Sequence, residues 1–160
     1  MNADTPKASK LWVDVVGRIS WLRSRPFLVD VSKVGALVGD LSESGFRVVR
    51  VDFPRGAADS EEALLIELSG RLGFSESGAG NWAAYKDRLR DLKTAESEPP
   101  LAVLIEGLDA LLQSDVQRFV RCVHNLLSMT EAVGLSDTKA NLQIEYFFTG
   151  SWAMNSARRR

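Results

Sequence analysis

The hydrophobic positions of this chain follow two alternating patterns: short apolar runs, and longer stretches with apolar residues three or four positions apart. The short runs are rich in β-branched and aromatic residues and are bounded by Gly, Pro or polar residues, which is typical of β-strands. Four such runs occur, at Phe27–Val31, Phe46–Phe53, Leu101–Ile105 and Ile144–Thr149. The third run is apolar at every position, which indicates a strand buried on both faces of a sheet.

Four helices are predicted between these strands from the three- and four-residue spacing and from residues that favour helix termini. Their predicted extents are about 32–45, 60–72, 81–92 and 115–133. The residues expected to cap the first three are Ser32, Asp59 or Ser60, and Asn81. Residues 11–25 mix apolar and charged positions without a clear period, and we leave them unassigned.

The predicted element order is β-α-β-α-α-β-α-β. Strands separated by helices of this length imply an α/β fold with a mainly parallel sheet and right-handed crossovers. The length of 160 residues fits one domain, and a chain of this size buries enough surface to fold without disulfides or a structural metal. Residues 1–25 are interpreted as a poorly defined N-terminal extension and residues 153–160 as a basic C-terminal tail.

Composition and charge narrow the class of function. The net charge of −1 shows no basic excess of the kind that direct nucleic-acid binding requires. The single cysteine, Cys122, excludes an intrachain disulfide and is typical of a reducing compartment. No uncharged apolar run approaches the ~20 residues of a membrane span, and the first residues lack the pattern of a signal peptide. We therefore expect a cytoplasmic protein without membrane contact.

Residue patterns that support catalysis or metal binding are mostly missing from the sequence. His124 lies two positions from Cys122 on a predicted helix, so their side chains do not share a face and cannot form a nucleophile–base pair. Two such residues are also too few for a structural zinc site. The motifs G-x-S-x-G, H-E-x-x-H and G-x-G-x-x-G do not occur. We therefore expect no enzymatic activity, no metal and no cofactor.

One pattern does favour an enzyme. The stretches Leu101–Asp109 and Leu142–Ser151 are apolar strands that end in acidic or hydroxyl residues, and together they resemble the magnesium-side strands of a P-loop ATPase. Glu106 or Asp109 would then be the residue that binds Mg²⁺. The phosphate-binding motif G-x-x-x-x-G-K-[ST] occurs nowhere in the chain. A degenerate P-loop-type NTPase domain is therefore the less favoured alternative.

The most informative stretch is residues 72–92, LGFSESGAGNWAAYKDRLRDL. A glycine-rich loop leads directly into the helix that Asn81 is expected to cap. Apolar residues on this helix are spaced three, four and three apart, so they form one stripe that faces a core. They are Trp82, Tyr85, Leu89 and Leu92. The residues that then face outward are Ala83, Lys86, Asp87, Arg90 and Asp91.

This stretch resembles the barstar family, intracellular protein inhibitors of secreted ribonucleases, whose members carry LGFP, a loop with aromatic residues and glycine, and a helix N-[WL]-D-A-L-x-D-x-L. The matching residues are Leu72, Gly73, Phe74, Gly78, Gly80, Asn81, Trp82, Ala84, Asp87 and Leu89. The resemblance covers about residues 46–150 and implies a three-layer domain with a small parallel sheet flanked by helices. An extra N-terminal βα unit at 26–45 would extend this domain to residues 26–152.

The resemblance also implies a partner and a binding face. Members of the family block a ribonuclease by placing this loop and the acidic face of this helix in its basic active site. Asp87 takes the position of the family's key inhibitory aspartate. The other positions implied to contact the partner are Ser77, Gly78, Gly80, Ala83, Lys86 and Arg90. The protein would be a monomer when free and would act as an inhibitor or immunity protein.

Several residues depart from the family pattern. Ala83 replaces the aspartate one turn before Asp87, Lys86 replaces the exposed aromatic residue, and Ser77 replaces the aromatic residue of the loop. Residues 81–91 hold three basic and two acidic side chains, the wrong sign for a basic cleft.

Two features bear on whether inhibition survives these departures. Glu96 and Glu98 in the following loop would restore a negative face. Without the resemblance, Asp87 is explained as a surface charge paired with Arg90. An interaction module that does not inhibit a nuclease is therefore the second hypothesis.

Overall fold

The four apolar runs predicted as strands form one parallel sheet. The computed structural model describes residues 13–57, 59–74, 80–93, 99–134 and 143–152. Its strands are β1 (Phe27–Asp30), β2 (Arg47–Asp52), β3 (Leu101–Glu106) and β4 (Ile144–Gly150). Its helices are α1 (Val15–Arg18), α2 (Val34–Glu43), α3 (Ser60–Arg71), α4 (Trp82–Lys93), α5 (Asp109–Ser114) and α6 (Val116–Gly134), with a 3-10 turn at Val31–Lys33.

The strand order is β1-β4-β3-β2, and every neighbouring pair is parallel. Leu101 at the start of the central strand β3 aligns with Arg47 on one side and with Ile144 on the other. The residues from Leu101 to Ile105 have no exposed surface, as a strand covered on both faces requires. The predicted α/β class and the parallel sheet are therefore confirmed.

Helices cover both faces of the sheet and give three layers. Successive side chains of a strand point to opposite faces, so β3 contributes Leu101, Val103 and Ile105 to one core and Ala102 and Leu104 to the other. The larger core lies between the sheet and helices α3 to α6. The smaller core lies between the sheet and helices α1 and α2. The βα unit that precedes the predicted family core therefore builds most of the second face.

The described part of the N-terminal extension is packed into the smaller core. Its buried residues are Val15, Ile19 and Leu22. The side-chain amide of Gln143 accepts from the backbone N–H of Val13 and donates to its carbonyl, both at 2.9 Å. Arg25 donates to Glu145, a β4 carboxylate that is only 2% exposed, with its Nε at 3.0 Å. A buried carboxylate needs such a partner, since an unpaired charge is costly to bury.

Some predicted details were wrong. Ser32 does not cap the first long helix, because Asp30 accepts from the Ser32 N–H at 3.0 Å and from its hydroxyl at 2.6 Å. Asp30 thereby caps the 3-10 turn, and α2 begins only at Val34. The short helices α1 and α5 were not predicted, since four and six residues are too few to show a helical period.

Among the described residues, no helix combines the length and the apolar character that crossing a membrane requires.

Candidate partner-binding face

Helix α4 begins as its sequence predicts. The side-chain oxygen of Asn81 accepts from the backbone N–H groups of Ala83 at 2.8 Å and Ala84 at 3.3 Å, which confirms it as the N-cap. Gly80, just before it, lies against the first turn of α3, where a Cβ atom would stand 2.5 Å from Cγ of Glu62. Glycine at this position therefore lets the entry to α4 approach α3 closely.

The inward side of α4 is anchored in the larger core. Tyr85 and Leu89 are fully buried, and Trp82 is half-buried against the same core. The Tyr85 hydroxyl lies 2.6 Å from that of Tyr146 on β4. Burial raises the pKa of both phenols above the ordinary value of 10.0. The predicted apolar stripe is confirmed for these three residues, whereas the side chain of Leu92 lies outside what the structure describes.

The outward side of α4 carries the charged residues. The Asp87 side chain is 74% exposed, and its carboxylate lies 3.7 Å from Nη1 of Arg90, as the spacing of three residues predicts. Ala83 and Arg90 are also exposed, and Lys86 is half-buried. Four of the predicted contact positions, Ala83, Lys86, Asp87 and Arg90, thus lie on one helix. Gly80 lies two residues before this helix begins. Ser77, Gly78, Glu96 and Glu98 lie outside the described residues.

Acidic residues of α3 lie beside the start of α4, an arrangement that the sequence did not indicate. Asp59 caps α3 by accepting from the N–H of Glu62 at 3.0 Å, and both side chains are exposed. Glu62 also lies against Gly80. Acidic residues in a first helical turn are favoured by the helix dipole, and nothing in the local sequence indicates that this turn faces α4. The described negative charge near the entry to α4 therefore comes from α3.

The third acid of that turn, Glu61, joins three helices. It accepts from the indole N–H of Trp82 at 2.9 Å, and from Nε and Nη2 of Arg121 at 3.3 and 2.8 Å. The hydrogen bonds with Glu61 raise the pKa of Arg121 above its ordinary value. Helices α3, α4 and α6 therefore meet at one carboxylate.

The acids proposed to bind Mg²⁺ in the NTPase alternative are engaged in other contacts. Glu106 forms an ion pair with Arg50 on β2. Asp109 accepts from the backbone N–H of Ser151 at 3.1 Å and packs against Gly150, where a Cβ atom would stand 2.7 Å from its carboxyl carbon. Within the described ranges, no three His, Cys, Asp or Glu side chains are grouped to hold a metal ion. The second carboxylate oxygen of Asp109, Oδ1, is buried without a hydrogen-bond partner among the described residues.

Cys122 and His124 do not form a common site. Cys122 is fully buried in the larger core, and burial raises the pKa of its thiol to about 12. His124 is exposed on the same helix. A thiol with such a pKa is protonated at neutral pH and is a poor nucleophile. Cys122 is therefore a small buried residue of the larger core.

Comparison of the sequence with models of protein families gives no match, and comparison with curated proteins gives none either. A function for this protein is therefore inferred from the residues of α4 and their surroundings.

Proposed function

We propose that the protein is a barstar-like inhibitor or immunity protein, without enzymatic activity, that binds a ribonuclease through α4 and the residues beside it. The observation that carries this proposal is the arrangement of α4. Asn81 caps the helix, Tyr85 and Leu89 anchor it, and Asp87 stands largely exposed at the position of the family's inhibitory aspartate. A rigid helix with an exposed acid at that position is suited to occupy a basic cleft.

The sign of the net charge on this face decides whether it would attract a basic nuclease. Arg90 partly neutralises Asp87, so α4 alone does not present a negative field. Glu62 adds exposed negative charge beside the entry to the helix, and the exposed Asp59 caps the same turn of α3. Glu96 and Glu98 follow the helix in sequence and would add to this negative charge. We propose that these four acids attract the nuclease and that Asp87 contacts it.

The test is inhibition of RNA hydrolysis by a panel of secreted ribonucleases with basic active sites. The parent protein should inhibit at least one of them in a one-to-one complex, and Asp87→Ala should weaken that inhibition. Glu67→Ala is the matched control, because Glu67 is exposed on α3 and lies away from the side of that helix that meets Gly80. If no nuclease is inhibited, or if the two variants behave alike, the proposal fails.

A second candidate is an interaction module that does not inhibit a nuclease. The Asp87–Arg90 ion pair favours it, because the exposed side of α4 is then close to neutral and suits a partner without strong positive charge. The absence of inhibition, together with binding of a non-nuclease partner that Asp87→Ala weakens, would support this candidate.

For the NTPase alternative, calorimetry with ATP and Mg²⁺ is decisive, and micromolar binding that Glu106→Gln abolishes would reverse our preference.

A further inference from the structure

The contact between Glu61, Trp82 and Arg121 joins three helices at the entry to the proposed binding face. Trp82 is the first residue of α4, Glu61 lies in the first turn of α3, and Arg121 lies in the second turn of α6. One carboxylate oxygen accepts from the indole and from Nε of the guanidinium, and the other accepts from Nη2. Hydrogen bonds to a charged carboxylate are stronger than those between neutral groups.

The burial of these groups indicates a role other than direct contact with a partner. The Glu61 side chain is 15% exposed, whereas that of Arg121 is 57% exposed. Glu61 therefore lies beneath the surface, between two groups that reach it from neighbouring helices. The Trp82 ring continues inward and meets the Tyr85 ring edge-on at 6.4 Å between centroids. Glu61 thus contacts the N-terminal end of α4, and Tyr85 is buried in the core one turn further along.

We infer that Glu61 is a positioning residue, which holds the first turn of α4 against α3 and α6 and so sets the orientation of the partner-binding face. The exposed residues Ala83 and Asp87 lie within the first two turns of α4, directly after Trp82. A rotation of that helix end would displace both side chains relative to Glu62 on α3. The role of the face rests on the proposed function, whereas the positioning of α4 by Glu61 does not.

Amide hydrogen exchange of the free protein tests the positioning directly. Glu61→Ala removes all three hydrogen bonds to this carboxylate, and Trp82→Phe keeps an aromatic ring but removes the indole donor. Each should speed exchange of the α4 amides about tenfold or more, as loss of a hydrogen bond to a charged group predicts. Amides of β3 and β4 should change much less. Glu67→Ala, on the exposed side of the same helix, should leave the α4 amides unchanged.

Three exchange results would overturn the inference. Unchanged α4 amides in Glu61→Ala would show that the carboxylate does not hold the helix. An equal acceleration in α4, β3 and β4 would show a general loss of stability without any positioning role. If Glu61→Ala still accelerated exchange in a Trp82→Phe background as much as in the parent, the indole bond would not be the link.

Inhibition of a ribonuclease tests the functional consequence separately. If the panel described above contains an inhibited enzyme, Glu61→Ala should weaken binding about tenfold through faster dissociation, although Glu61 itself does not touch the enzyme. If no enzyme is inhibited, the proposed function fails while the exchange result stands. If an enzyme is inhibited and Glu61→Ala binds it like the parent, the orientation of α4 does not depend on Glu61 and this inference fails alone.

Discussion

The hydroxyl oxygens of Tyr85 and Tyr146 lie 2.6 Å apart between two fully buried side chains. Tyr85 belongs to α4, which carries the proposed binding face, and Tyr146 belongs to β4 in the centre of the sheet. A buried hydroxyl without a hydrogen-bond partner is costly, and here each hydroxyl is satisfied by the other. The surface helix is therefore coupled to the sheet by a polar contact inside an apolar core.

We expect the two tyrosines to be energetically coupled. Tyr85→Phe or Tyr146→Phe alone leaves one buried hydroxyl unpaired and should lower the free energy of unfolding by about 1–3 kcal/mol. The double variant removes both hydroxyls and should lose less than the sum of the two single changes. Urea unfolding of the parent and the three variants measures this. Additive losses would show that the hydroxyls do not depend on each other.

The same pair predicts loss of stability at alkaline pH. Burial raises the pKa of both phenols, so the folded state keeps their protons at pH values where the unfolded chain loses them. Their contribution is fully present below about pH 10, the ordinary value, and falls as pH rises from there through the folded pKa values. Cys122, with its pKa raised by burial from 9.0 to about 12, adds to the loss from about pH 9.

Ultraviolet absorbance makes this alkaline transition easy to follow, because the chain contains only these two tyrosines. Tyrosinate should appear in the same transition as the loss of circular dichroism, above pH 10. Ionisation of either phenol near pH 10 with the fold intact would contradict the burial of the pair. Tyr85→Phe should make the transition less steep, since one proton fewer is then released on unfolding.

Trp82 is expected to stabilise the fold as well as the orientation of α4. It packs against the larger core and donates to Glu61. Trp82→Ala should lower the free energy of unfolding by about 3 kcal/mol, as for a truncated aromatic side chain that is partly buried. Trp82→Phe keeps most of the packing and should lose less. A loss below about 1 kcal/mol in Trp82→Ala would mean that the side chain is exposed and belongs to the contact surface instead.

The sequence predicted best those features that depend on neighbouring residues or on a long pattern. The unbroken apolar run of β3 indicated burial on both faces, and Asn81 before an amphipathic stretch indicated a helix start. The prediction that Ser32 is a cap failed, because Asp30 and Ser32 can both accept from a backbone N–H two positions on, and Asp30 is the residue that does so. Only the positions of the backbone groups decide which does.

The surroundings of α4 were less predictable, because they depend on which helices pack together. Glu61 and Glu62 have a sufficient local explanation as acids in a first helical turn. Their contacts with Trp82 and Gly80 cross 21 and 18 residues of sequence, and no periodicity relates them. For the same reason the pairing of Glu61 with Arg121, sixty positions away, could not be read from the chain.

Gly80 offers a test of the packing between α3 and the entry to α4. A Cβ atom there would stand 2.5 Å from Cγ of Glu62, so Gly80→Ala forces this exposed side chain to move. We expect a loss of about 1 kcal/mol in unfolding free energy, the lower end for an overpacked contact. Glu62→Ala should relieve most of the loss when the two changes are combined. Equal losses with and without Glu62 would show that the backbone, and not this contact, requires glycine.

Binding kinetics should separate the contact residue Asp87 from the acidic residues that attract the partner. Asp87→Ala removes a contact that becomes desolvated in the complex, so it should mainly speed dissociation from an inhibited nuclease. Glu96→Lys with Glu98→Lys reverses charge in the segment that follows α4 in sequence and should mainly slow association. This slowing should shrink as salt rises, because exposed charges are screened within a Debye length of about 10 Å at 0.1 M.

Stopped-flow association at two salt concentrations, with dissociation measured by competition, distinguishes these effects. The free energy of unfolding should barely change in either variant, since exposed charges contribute little to folding and the Asp87–Arg90 pair is largely solvated. If both variants associate and dissociate like the parent, neither α4 nor the segment that follows it in sequence forms the binding face. If Asp87→Ala slows association and leaves dissociation unchanged, Asp87 belongs among the attracting charges. Another residue must then make the buried contact.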